Sequence, residues 1–160
     1  MRDKYIAHEE TKGEFTLRII GDDDPMNPRE DCDWLGKMVC WHRRYDLGDE
    51  QPRSSPNEYL ACMAGEAVNK PYDWELIPPE HIQRILDKHF IILPLYLYDH
   101  SGITMSTGPF GCPWDSGQVG FIYVSVKDAR KEFKGEDWQE KAIKCLESEV
   151  ETYDDYLTNN

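Results

Sequence analysis

Phe90-Ile91-Ile92-Leu93-Pro94-Leu95-Tyr96-Leu97-Tyr98 and Val119-Gly120-Phe121-Ile122-Tyr123-Val124-Ser125-Val126 are the two strongest apolar runs in the chain. Both are short, rich in β-branched and aromatic residues, and bounded by turn-forming residues, so they read as the buried central strands of a sheet. Pro94 lacks an N–H to give to a ladder, so the first strand must have an irregular or edge point there. Working outward, Phe15 to Ile20 alternates as a strand and Lys37 to His42 is a further strand candidate. A short strand is expected at Ile103 to Met105, within the Gly- and Pro-rich connection from Asp99 to Ser116.

Helical signals lie between and after these runs. Glu58 to Val68 and Pro79 to Lys88 read as helices, the second opened by prolines that are tolerated in a first turn. Lys127 to Phe133 supplies one or two turns, stopped by Gly135. The clearest helix follows, with Trp138, Ala142, Ile143, Leu146, Val150, Tyr153 and Leu157 at helical spacing along one stripe. The predicted fold is therefore α+β: one domain over residues 1–160, with a mostly antiparallel sheet of four to five strands, helices packed on one side and a long acidic C-terminal helix.

The sequence has 160 residues, with 18 Lys and Arg against 31 Asp and Glu, for a formal charge of −13. That balance argues against direct nucleic-acid binding, which needs clustered cations. No run approaches a membrane span. The charged start, Met1-Arg2-Asp3-Lys4-Tyr5, has no apolar region behind it, so a cytoplasmic location is expected. The charge is concentrated. Residues 21–33 carry a net −5, including Asp22, Asp23 and Asp24, and residues 135–160 carry a net −6. Along the last helix Glu140, Glu147, Glu151 and Asp154 run beside the apolar stripe. A solvated face is the ordinary explanation of such acids; a surface that binds a cationic partner is the functional one.

Five cysteines without C-x-x-C spacing argue against a disulfide framework or a zinc knuckle and predict free thiols, several of them buried. Asp99, His100, Cys112 and Asp115 nevertheless crowd the loop between the two central strands. A thiol hydrolase would use Cys112 as nucleophile, His100 as base and an Asp to orient it. A metal site would need Asp99, His100 and Asp115 to converge. The simplest alternative is architectural, with Asp and Ser side chains forming turns and Trp114 capping the sheet. His42-Arg43-Arg44 can grip a phosphate or carboxylate, although pairing with the acidic loop before it is the expected use. The Asp22–Asp24 triplet lacks the spacing of a calcium loop, and none of the common nucleotide-binding or hydrolase motifs is present. No metal and no cofactor is expected.

Several long segments together resemble a family of small acidic proteins encoded by phages and plasmids. They are Asn27-Pro28-Arg29, Leu35 to Asp49 with its Met38-Val39-Cys40-Trp41-His42-Arg43-Arg44-Tyr45 core, Leu93 to Ser106, Pro113 to Val124, and Glu149 to Leu157. The resemblance brings genomic context and no catalytic residues. It implies an inhibitor of a host defence nuclease, of the anti-CRISPR or anti-restriction kind. Such an inhibitor would bind a defence protein with a cationic nucleic-acid channel through Glu140, Glu147, Glu151, Asp154 and Asp22 to Asp24, as a nucleic-acid mimic. The alternatives are a small hydrolase acting on a nucleotide or defence signal through the Asp99–Gln118 loop, and an accessory phage structural protein.

Overall fold

The computed structural model describes residues 5–70, 73 and 75–158. Its elements in chain order are β1 (Ile6–Lys12), β2 (Phe15–Ile20), α1 (Pro28–Asp31), β3 (Lys37–Cys40), α2 (Pro56–Ala67), α3 (Pro79–His89), β4 (Phe90–Asp99), β5 (Ile103–Ser106), β6 (Ser116–Ser125), α4 (Val126–Glu132) and α5 (Trp138–Thr158). The fold is α+β, with six strands in two antiparallel sheets: a β1–β2 hairpin and a four-stranded sheet in the order β3-β6-β4-β5.

The two apolar runs are the centre of the larger sheet. β4 and β6 pair from Phe90↔Ser125 to Tyr98↔Ser116, with a register shift between Leu95 and Tyr96. Pro94 lies opposite Phe121, while β5 pairs only with Tyr96 to Asp99. The proline thus sits where β4 has a neighbour on one side, so its missing N–H breaks no second ladder.

Helices cover both faces of this sheet, not one as the sequence suggests. Alternate strand residues separate two clusters. Met38, Leu95, Ile122 and Val124 pack with Ala142, Leu146, Val150 and Tyr153 of α5. Val39 and Phe121 pack with Met63, Ala64 and Leu86 of α2 and α3. This is the period-2 consequence of a sheet buried on both sides. Gly120 is required at the β3–β6 crossing, because a Cβ there would lie 1.9 Å from the Val39 carbonyl oxygen.

The predicted helices form with small extensions. Ser55 caps α2 by accepting from Glu58 N–H, and Ser125 caps α4 by accepting from Asp128 N–H. Two elements were not expected from sequence. β1 pairs with β2 across a Gly13–Glu14 turn, and α1 lies inside the acidic loop, capped by Asn27. No described helix is long and apolar enough to cross a membrane.

Candidate functional site: an acidic groove beside helix α5

α5 presents two kinds of carboxylate. Glu149 lies on its inner face, three residues after Leu146 and four before Tyr153, and is buried. Its Oε2 accepts from Arg29 Nη1 at 3.0 Å, and Oε1 accepts the Leu35 and Gly36 N–H groups at 2.9 and 3.1 Å. Arg29 also pairs with Asp49 and donates to the Gly36 carbonyl. Asp49 in turn accepts the Met38 N–H at 2.7 Å. Burial works against the Arg29 charge, but Asp49 and Glu149 outweigh it and raise its pKa. This internal network joins the acidic loop, β3 and α5. Every charge and most backbone donors in it are satisfied, so its role is architectural.

The outer face carries Glu147, Glu151 and Asp155 at successive four-residue intervals, all exposed. With Asp154 they line one side of a groove of about 680 Å³ whose other side is Thr104 to Thr107 and Phe110. Asp154 leans inward and its Oδ1 accepts the Met105 N–H of β5 at 2.7 Å. Burial raises the Asp154 pKa, opposed by that N–H. Neighbouring carboxylates at four-residue spacing repel by a few tenths of a kcal/mol per pair, and the last turn of a helix, where Asp155 lies, is unfavourable for anions. Residues 145–158 nonetheless contain no Lys or Arg. Among the described residues none of the four groove carboxylates forms a salt bridge.

Of the acids predicted to bind a partner, Glu147, Glu151 and Asp154 therefore converge. Glu140 does not: it lies in the first turn of α5, ion-paired with Lys144 at 2.7 Å. Asp22, Asp23 and Asp24 are exposed in the loop after β2, where Asp22 Oδ1 accepts the Asp24 N–H, an Asx turn. Asp155 and the structural pair Arg29 and Glu149 were missed. A carboxylate inside the 146–150–153 stripe was the available signal for Glu149, since an acid on a buried face requires a buried cation or donor set.

The Asp99–Gln118 loop brings together part of the predicted catalytic set. Asp115 Oδ2 lies 3.4 Å from His100 Nδ1 and 3.9 Å from Cys112 Sγ. The carboxylate thus stands next to the thiol, where a nucleophile–base pair needs the imidazole. Among the described residues no hydrogen bond joins Cys112 to His100, and the His100 side chain is 65 % exposed. Asp99 is taken up by an ion pair with Arg44. That contact also corrects the expected partner of the basic cluster, which is Asp99 and not the preceding acidic loop. The His42 Nδ1 accepts the Arg44 and Tyr45 N–H groups, and its ring stacks on Tyr45.

The loop's backbone bonds are architectural: Ser116 Oγ donates to the Cys112 carbonyl, and Asp99 N–H donates to the Asp115 carbonyl at 2.8 Å. Trp114 does not cap the sheet; it is 92 % exposed. No group of three or more His, Cys, Asp or Glu among the described residues is arranged to hold a metal ion. All five cysteines are free, but only Cys40 is buried, fewer than expected. Comparison with models of known protein families, with curated proteins and with solved structures finds no match to this chain.

Proposed function

We propose that the chain is a protein-binding inhibitor that engages a cationic nucleic-acid channel through the α5 groove. The observation that carries this reading is the row Glu147, Glu151 and Asp155 with Asp154 beside it, lining one groove and forming no salt bridge among the described residues. Side chains four residues apart on a helix stand about 5–6 Å apart, close to the spacing of phosphates along a strand. A cationic channel is the complementary surface, and the chain's charge of −13 would speed the encounter. The resemblance to phage and plasmid proteins supports a defence nuclease as the owner of that channel, whether a restriction enzyme or an RNA-guided effector.

The test is a cleavage assay on a panel of restriction nucleases and RNA-guided effectors, with the chain added before DNA. At least one member is inhibited at low salt, and inhibition fades as salt rises because exposed charges are screened within about 8–10 Å. The Glu147→Gln, Glu151→Gln, Asp155→Asn triple variant folds normally and loses inhibition mainly through slower association. An unaffected panel, or a triple variant as potent as the wild type, sinks the reading.

A further inference from the structure

The β1–β2 hairpin stands apart from both cores, with all thirteen residues of its two strands exposed. A two-stranded hairpin alone in water is marginal, and in this one the apolar residues gather on β2, whose Phe15, Leu17 and Ile19 stand opposite Lys12, Glu10 and His8 of β1. On one face the Thr11 and Thr16 hydroxyls bond at 3.1 Å and Arg18 pairs with Glu9. The other face of β2 is an uninterrupted apolar row, Phe15 (82 % exposed), Leu17 and Ile19.

The edges of the molecule differ in the same way. The outer edge of β3 is covered by residues 49 and 50, with Cys40 N–H donating to the Glu50 carbonyl and Asp49 and Glu50 N–H groups donating to the Met38 carbonyl. The outer edge of β5 is blocked where Asp154 accepts the Met105 N–H. β1 is blunted by charge, reading His8-Glu9-Glu10-Thr11-Lys12. β2 alone among these edges has neither cover nor a run of charges.

We propose that β2 is a homodimerisation edge: two copies pair antiparallel through β2 about a two-fold axis at Leu17, making a four-stranded sheet. The register follows from the turn. Gly13 and Glu14 form a two-residue loop with positive φ at Gly13 alone, as in a type II′ turn. Lys12 and Phe15 are then a hydrogen-bonded pair, as are Glu10 and Leu17, so the peptide groups of Thr16 and Arg18 point outward.

Antiparallel pairing about Leu17 sets Thr16 opposite the copy's Arg18, so these outward groups meet each other. The same register sets Leu17 on Leu17 and Phe15 on Ile19, closing the apolar row on itself. Charge is also complementary. Residues 6–20 carry only −1 of the chain's −13, each Arg18 is already paired with Glu9, and its two diagonals are the copy's Glu14 and Arg18, so two Glu14–Arg18 attractions stand against one Arg18–Arg18 repulsion. Two strongly acidic chains thus meet along a strand that carries little of their net charge.

Sedimentation equilibrium of the full chain over a wide dilution series tests the proposal. The expected mass rises with concentration from 18.7 kDa toward twice that value. Added salt strengthens the dimer, because it screens repulsion between the acidic bodies; this is opposite in sign to the nuclease inhibition proposed above. Leu17→Lys abolishes dimerisation by opposing two cations on the axis. Thr16→Pro abolishes it too while leaving the apolar row in place, since it removes an outward N–H and the Thr11 hydroxyl contact but no ladder donor of the hairpin.

Leu17→Cys, in a Cys32→Ser, Cys62→Ser chain, oxidises to a covalent dimer, because facing Cα atoms of a non-hydrogen-bonded pair lie about 4.5 Å apart, within disulfide reach. Glu10→Cys in the same chain does not. A monomer at every concentration overturns the proposal. So does a dimer that survives Leu17→Lys and Thr16→Pro, or a hairpin that binds only a foreign protein.

Discussion

Arg29 and Glu149, 120 positions apart in sequence, meet at 3.0 Å with side chains only 2 % and 3 % exposed. Their contact fixes α1 and the acidic loop against α5, and Asp49 extends it to β3. Removing one member of a buried pair leaves an uncompensated charge, which costs about 3–5 kcal/mol. Glu149→Ala should therefore lower the stability read from urea unfolding by that amount. The Arg29→Met, Glu149→Leu double variant should lose less than the sum of the two single changes. Additive losses would show that the two residues do not act as a unit.

Asp154 carries the opposite sign. Burial raises its pKa, so the charged carboxylate subtracts from stability above that pKa, and the penalty vanishes as pH falls through it. Asp154→Asn keeps an acceptor for the Met105 N–H. At neutral pH the variant should match or exceed the wild type, by no more than a few tenths of a kcal/mol given its partial exposure. The difference should close below about pH 3.5, where a carboxyl is protonated in both folded and unfolded chains. A wild type more stable than the variant at pH 7 would contradict this account.

Burial pushes the Cys40 thiol up to about 12, with Asp49 adding to the effect. Alkylation depends on the thiolate and on access. Under native conditions at pH 8, iodoacetamide should modify the exposed Cys32 and Cys62 first and leave Cys40 untouched until global unfolding. Peptide mass mapping over time gives the order directly.

Gly120→Ala tests the β3–β6 crossing. The added methyl would strike the Val39 carbonyl, a backbone atom with little freedom to retreat. Overpacking of this kind costs about 1–3 kcal/mol, and thermal unfolding should register it. Gly117→Ala, where a Cβ meets nothing within 4 Å, is the matched control in the same strand.

The elements legible in the sequence were those whose stability is written in a local period. β4, β6 and α5 carry their own apolar pattern, and the structure places them with small changes at the ends. β1 was illegible because Ile6 to Lys12 is mostly polar and becomes a strand only by pairing with β2; the Gly13 turn was its one signal. Helices on both faces bury successive residues of β3 and β6, which the reading of short apolar runs did not separate from burial on one face. In the site, Glu147, Glu151 and Asp154 were found from charge and spacing. Glu140 differs in two ways: its pairing with Lys144, four residues on in the same helix, was a local signal left unread, and its distance from β5 is a tertiary fact. Arg29 looked like one cation among many acids, and its partners lie 20 and 120 residues away.

That separation has a consequence for synthesis. Chain leaves the ribosome at about 5–20 residues per second, so Arg29 is made about 6–24 s before the carboxylate that completes its site. Throughout that interval the Leu35 and Gly36 amides lack their acceptor, and the sheet face that α5 covers is bare. The nascent chain must wait for α5 before Met38, Leu95 and Ile122 are sheltered. Chaperone demand should therefore persist until Glu149 emerges and fall abruptly once it has.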